Sequence, residues 1–540
     1  MVFVKKKIKK DILDQRKEDE LAEGRKKEKT FSFTSTWFLA LLVFLLAISV
    51  RLVFLLFFTK IDEPMVGDVW HHWQIAYLSM TVGFKHGFLR LWDFKGMEYY
   101  WGLLHPLVLI MAFTVSRSTS IIIPRIVSTL FGSGTVVLVF LIVSRYFNKK
   151  AALASALFFA LMPLNVFHDT LGLQEPLGIF FLLLGIFLFY RYAFLAGFSW
   201  MLAGMTRAEY WLFGAGLVLA VLLREKNFDR KIITLFGFAV PCLLYLKYLL
   251  DYTGNPIYPI YWNFLGVVAG KWSSGLTALP LTMQPVRIFS QIFFFLFFIG
   301  GIVVLWKKFK SYLFLLLGLA YLAFAFSILG FGIYLYGYVR VLNFSGIIDK
   351  IWIGKLFTFP WAFLGSLTAI FLLYFLPKRV GKRGVLLGGL IFLFFLGATQ
   401  FIWPSINQHY LKEDMVVERS QKSAELIASK YTGRGVILLP AQSEFITYFL
   451  VHNEGILGDK LAPSFYSPFY YYKGKDPFAE WDSFREEIIE WLKKQNAELF
   501  VIDIYDGNQS KMLQLEKGKL FDLVAEKYSY AICKVKINEE

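Results

Sequence analysis

A chain of 540 residues, 57% of them hydrophobic and 58 of them phenylalanine, is excluded from the soluble globular class; runs of about 20 apolar residues are membrane-spanning helices. The net charge of +17 does not mark a nucleic-acid binder: residues 405–540 carry 17 basic and 21 acidic side chains, and the excess of 40 over 19 sits in the short connections of the preceding 404 residues. Two cysteines, Cys242 and Cys533, with no CxxC pair, exclude a disulfide framework and a thiolate zinc site.

Residues 1–34 form a charged tail, lysine-rich from Lys5 to Lys29, ahead of a first apolar run near 35–58. That run is too long for a signal peptide, and the lysines place the N-terminus in the cytoplasm. The connection 59–121 is then a large outer loop. It opens on Ile61-Asp62-Glu63-Pro64-Met65-Val66-Gly67-Asp68-Val69-Trp70-His71-His72-Trp73. Carboxylates at a membrane surface are suited to taking a proton from an acceptor hydroxyl or to holding a divalent ion. Asp62, Glu63 and Asp68 are the candidates, against the plainer reading of a helix start facing water. His71 and His72 point about 100° apart on a helix, which suits hydrogen bonding better than joint metal ligation. The apolar stretch Tyr99–Val115, which contains His105-Pro106, is short for a span and is read as part of this loop.

Further spans are expected near 122–144, 151–166, 176–193, 194–210, 211–223, 231–250, 287–306, 311–332, 356–376 and 384–404, giving about 11 transmembrane helices. With 99–115 not spanning, the basic clusters Arg145–Lys150, Arg191, Arg224–Lys231, Lys307–Lys310 and Lys378–Arg383 all share the side of the N-terminus. A second acidic segment, His168-Asp169-Thr170-Leu171-Gly172-Leu173-Gln174-Glu175-Pro176, lies between the third and fourth spans. Asp169 and Glu175 are its candidate acids, although Glu175-Pro176 also suits the first turn of a helix. Thr206-Arg207-Ala208-Glu209 follows at the outer end of the fifth span, where an arginine must be paired or must face a polar ligand. Arg340, beside Tyr334, Tyr336 and Tyr338, and Lys271 are further outer-face cations able to hold a phosphate. An odd number of spans leaves 405–540 outside as a small α/β domain. Gly435–Leu439 and Leu499–Ile504 read as buried strands, and Phe478–Lys494 as a helix with Trp481, Phe484, Ile488 and Trp491 on one stripe.

Acids early in the first outer loop, an acid before a Pro-Leu helix start in the second, a Thr-Arg-x-Glu segment and an external domain occur here in that order. The chain resembles the GT-C membrane glycosyltransferases, among them protein O-mannosyltransferases, aminoarabinose transferases and oligosaccharyltransferase catalytic subunits. It lacks the Trp-Trp-Asp-Tyr-Gly and His-x-Phe-Gly motifs of two of those groups. The resemblance implies an α-helical polytopic enzyme of the cell membrane, with a GT-C-like catalytic module over 35–404. Such an enzyme transfers, with inversion, a sugar from a polyprenyl (dolichyl) phosphate donor to a protein, lipid or glycan acceptor on the outer face. Asp68, Asp62 and Glu63 would be catalytic, with Asp169 or Glu175 as second acid. Arg340, Arg207 and Lys271 would bind the donor phosphate. A metal is not required, but Asp62, Asp68 and Glu175 converging on one point would hold Mg2+ or Mn2+. The rival class is a flippase for a lipid-linked saccharide, which would show repeats, broken helices and charges near the bilayer midplane.

Overall fold

The computed structural model describes residues 33–64, 67–83, 101–263, 368–404, 415–440, 443–463 and 479–536. Helix α1, Phe33–Phe57, is apolar but for a few residues, Arg51 among them, and leads into the acidic segment. The chain re-enters as α2, Gly67–Leu78, which runs on into a π turn at Ser79–Gly83. Helix α3, Leu104–Ser116, ends on Arg117 in the left-handed region (φ 54°). Its 13 residues reach roughly 20 Å, short of the ~30 Å of bilayer hydrocarbon. The stretch expected not to span therefore lacks the length for it.

The bundle is built on α4, Ile122–Tyr146, whose apolar window is 67% buried against 28–33% for the other long spans. It is the most buried of the described long helices, and the other three leave more of their apolar surface exposed. Helices α5, Lys149–Leu161, and α6, Pro163–Leu171, form one apolar rod bent by 58° at Met162. Pro163 has no N–H to offer the preceding turn, which breaks the ladder there. Helices α7, Glu175–Leu188, α8, Ala193–Gly204, α9, Ala208–Arg224, and α10, Phe228–Thr253, follow, then a short α11, Tyr258–Asn263. Glycines permit the tightest crossing, α8 on α10: a Cβ on Gly197 would lie 2.1 Å from the Thr234 carbonyl oxygen, and one on Gly237 2.1 Å from that of Phe194. After a π turn at Phe371–Phe375, α12, Leu376–Val380, leads into α13, Lys382–Thr399. Among the described residues, four helices are long and apolar enough to cross a membrane, or five with the bent pair. The expected spans at 287–306 and 311–332, and most of 356–376, lie outside the described residues; those expected at 176–193, 194–210 and 211–223 are observed as the shorter apolar helices α7, α8 and α9, so eleven is not the observed number.

The basic connections share one end of the bundle. The guanidinium of Arg145 lies 5.5 Å over the Tyr190 ring and that of Arg230 5.7 Å over the same ring. Phe147 meets Tyr374 at 5.4 Å, and Lys378 sits 4.0 Å over Tyr374.

The C-terminal residues fold as an α/β unit. Its five-stranded sheet has the order β2-β1-β3-β5-β4, with β1 (Val436–Leu439), β2 (Leu461–Pro463), β3 (Ala497–Asp503), β4 (Phe521–Lys527) and β5 (Tyr530–Val535). β1 pairs in parallel with β2 and β3; β5 pairs antiparallel with β3 and β4. The β4–β5 hairpin turns on Tyr528 and Ser529, both at positive φ, as a two-residue turn that follows strand twist requires. Alternation divides the sheet. Leu438, Phe500, Ile502 and Cys533 pack with Trp481, Phe484, Ile488 and Leu492 of α16 (Trp481–Gln495). The expected stripe is right at three positions; at the fourth turn Leu492 is buried and Trp491 only partly so. On the other face Ile437, Leu439, Leu499, Val501 and Ile532 join one continuous core with α14 (Met415–Lys430), α15 (Glu444–His452) and the membrane helices. Helix α17, Gly507–Glu516, is capped by the Asp506 carboxylate on the Asn508 and Gln509 amides.

Candidate functional site

At the end of the bundle opposite the basic connections, the two acidic segments meet around two buried arginines that the sequence reading did not single out. Arg125, in the first turn of α4, is 1% exposed. It donates to the carbonyls of Lys60, Ile61 and Thr170 and to the Thr59 hydroxyl. One side chain thus staples the start of the first loop to the end of α6. Arg51, in the C-terminal third of α1, donates from Nε to Asp169 Oδ2 at 2.8 Å and from a terminal nitrogen to the same oxygen. It also reaches the Ala47 carbonyl at 3.1 Å. Space for the Asp169 carboxyl is left by Gly132, where a Cβ would lie 2.3 Å from its Cγ. Asp169 is on the last turn of a helix, not in an outer loop as the sequence reading had it, and both partners are buried. The signal for Arg51 was present: a cation amid an apolar span demands a carboxylate, and Asp169 is the acid at matching depth.

Glu175 opens α7 as expected and is 1% exposed. Its Oε1 accepts from the Arg207 guanidinium at 2.7 Å, and its carbonyl from the Tyr210 hydroxyl at 3.4 Å. Arg207 caps α9 in extended backbone, so its side chain turns back toward α7. In the first loop, Asp62 is exposed and Glu63 pairs with Lys60 at 3.0 Å. Asp68 lies half-buried in the first turn of α2, where a carboxylate complements the helix dipole. His71 lies 3.5 Å from Glu444 of α15. His72 stacks edge-on to His105 of α3, ring centroids 4.7 Å apart, and both α2 histidines meet Trp101 at 5.3 Å.

The C-terminal unit closes the site. Trp70 packs on Phe445, Tyr448 and Phe449, and Trp73 on Tyr448 and His452; the Gln74 amide donates to the Thr447 hydroxyl at 3.1 Å. Glu444, 5% exposed, faces His71 and senses the Asp68 charge. Burial pushes its carboxyl above the ordinary range, partly offset by His71. Burial likewise lowers His452, against a hydrogen bond with the Thr119 carbonyl that raises it. Glu444 carries no motif that sequence reasoning could have seized on.

Among the described residues no three histidine, cysteine or acidic side chains converge on a point that could hold a metal ion. Asp62, Asp68 and Glu175 are therefore not assembled as one donor set. Arg340 and Lys271 lie outside the described residues.

No protein-family model matches the chain, and no curated protein matches it in sequence. Solved structures do. The archaeal oligosaccharyltransferase AglB from Archaeoglobus fulgidus, in complex with an inhibitory peptide and a dolichol-phosphate, superposes with a TM-score of 0.55 at 14% identity, over 94% of this chain and 75% of its own. The Archaeoglobus fulgidus oligosaccharyltransferase complex with Zn and sulfate gives a TM-score of 0.52 at 14% identity, over 91% and 73%. In its apo form that enzyme gives 0.53 at 13%, over 91% and 72%. The resemblance seen in the ordered motifs is thus matched by a likeness of fold to these oligosaccharyltransferase structures.

Proposed function

We propose that this chain is an integral-membrane glycosyltransferase that moves a sugar from a polyprenyl-phosphate donor to an acceptor hydroxyl on the outer face. One observation carries the reading: in a GT-C fold, the acidic first loop and the Glu175–Arg207 pair gather at one end of the bundle, beneath a docked soluble domain. The acceptor oxygen attacks the anomeric carbon, a carboxylate takes its proton, and the phosphate leaves with the electron pair of the broken C–O bond, inverting the centre. Asp68 is the base we assign, because α2 holds it half-buried beside Glu444; exposed Asp62 is the alternate, and Glu63 is occupied by Lys60. A positioned base contributes ~10²–10⁴ in rate. Arg207 is the described cation for the departing phosphate, with Arg340 and Lys271 as further candidates. No step is routed through a cation, since the acids are not assembled around one.

Asp68→Asn should lower transfer from a radiolabelled dolichyl-phosphate sugar by at least a hundredfold with the melting midpoint unchanged. Full turnover in Asp68→Asn together with loss in Asp62→Asn would move the base to Asp62; activity in both would make the loop structural. Among the described residues the bend at Met162 favours a flippase, since transporters break helices near the midplane. Movement of lipid-linked sugar across proteoliposomes, undiminished in Asp68→Asn, would establish that rival.

A further inference from the structure

The end of the bundle opposite the acidic loops carries a large excess of positive charge. Its four connections, 145–150, 191, 224–231 and 378–383, hold twelve basic residues and two acids, Glu225 and Asp229. Glu225 is already engaged: it accepts from Arg230 at 3.2 Å and from the Lys226 and Asn227 amides. Among the described residues Arg145, Arg191 and Lys378 make no ion pair, and all three are exposed.

These cations are held in place. The guanidinium carbons of Arg145 and Arg230 lie 5.5 and 5.7 Å from the centre of one ring, Tyr190. That of Arg191 lies 5.3 Å over Tyr192, and the Lys378 ammonium 4.0 Å over Tyr374. The rings are joined in turn: Tyr146 meets Tyr190 at 6.2 Å, Phe147 meets Tyr374 at 5.4 Å, and the Asn148 amide donates to the Leu373 carbonyl at 3.2 Å. Keeping basic residues on one side of a membrane needs only their presence in the loops. It does not need two guanidiniums on one ring, where like charges repel and a shared anion offsets the repulsion. Arg145 spends one donor, on the Phe187 carbonyl at 3.5 Å, of the five that a guanidinium carries.

The neighbours of the cations select the carrier of that anion. Phe228 is 72% exposed two residues before Arg230, and Leu223 is 64% exposed at the end of α9. The cluster lies at the ends of α4 and α10, both long enough to cross a membrane. Fixed cations beside exposed apolar side chains at that depth match a phosphate headgroup with its acyl chains, whereas free phosphate gains nothing from the apolar rim. We propose that this end of the bundle binds phospholipids with anionic headgroups. Arg145 and Arg230 take the phosphate, Lys378 stands beside them, and the acyl chains lie against Phe228 and Leu223. The site does not depend on the glycosyl-transfer reading above.

The full-length protein in detergent would be melted with dioleoylphosphatidylglycerol, dioleoylphosphatidylcholine or inorganic phosphate, alongside Arg145→Gln, Lys378→Gln and Lys493→Gln. The last removes the same charge from the exposed face of α16. Phosphatidylglycerol should raise the midpoint at roughly a tenth of the concentration that phosphatidylcholine requires, and Arg145→Gln should need about tenfold more of it than the wild type. Lys378→Gln should weaken the response in the same direction, and Lys493→Gln should match the wild type. Equal responses to the two lipids would overturn the proposal. So would an equal loss in Lys493→Gln, since overall charge would then account for the effect. Inorganic phosphate as effective as phosphatidylglycerol would overturn the lipid assignment and leave a plain phosphate site. Should Arg145→Gln fail to fold, an undiminished response in Lys378→Gln would overturn the proposal by itself.

Discussion

Arg51 and Asp169 show how a single buried pair can set the geometry of a site. A buried ion pair contributes little net stability, but removing one partner strands a charge in an apolar bundle and costs about 3–5 kcal/mol. Arg51→Met should therefore lower the midpoint in detergent sharply, as should Asp169→Leu. The double variant should recover most of the loss, because two apolar side chains replace two compensating charges. A double variant as unstable as the singles would show that the pair does not account for the cost. Transfer by the recovered double variant separates the two roles open to Asp169: persistence makes it structural, loss makes it a participating acid. Sequence made Glu175 and Arg207 legible because each stands where an apolar run meets a loop. Arg51 and Arg125 escaped because hydropathy averages a lone charge into its neighbours, although the same averaging argument shows that such a charge must be paired.

At the level of elements, α2 and α15 form the joint between the helical bundle and the α/β unit, and Glu444 sits in it. Its carboxyl is raised chiefly by burial, so the folded protein holds that proton more tightly than the unfolded chain does. The stabilising contribution is complete below the ordinary glutamate range and is lost as pH rises through the raised value. Glu444→Gln, which keeps the shape and cannot ionise, should flatten the fall of the melting midpoint with pH on that side. An unchanged pH profile would place Glu444 outside the joint. The apolar runs, the strands at 436–439 and 497–503 and the stripe of α16 were legible because each rests on local periodicity. The docking of α15 on α2 was not, because residues more than 370 apart in sequence, Gln74 and Thr447, meet only through the fold. The end of α6 was misplaced by a few residues: Pro163 marks a break, but the helix resumes and carries Asp169 back into the bundle.

For the whole molecule the question is which face of the membrane bears the site. Arg145, Arg230 and Lys378 meet around Tyr190 and Tyr374 at one end, and the acidic loops and the sheet domain lie at the other. Basic residues in short connections stay on the cytoplasmic side, since moving them across the membrane during insertion is unfavourable. That asymmetry predicts the soluble domain outside, where an acceptor would be met. The prediction is checked by single cysteines in a background with Cys242→Ala and Cys533→Ala. A membrane-impermeant maleimide added to intact cells should label Lys493→Cys, on the exposed face of α16, and miss Lys382→Cys at the start of α13. Permeabilisation should then expose the second position. The reverse pattern would invert the protein, putting acceptor and donor sugar on the cytoplasmic side; labelling of both in sealed cells would mean that the two ends do not lie on opposite faces.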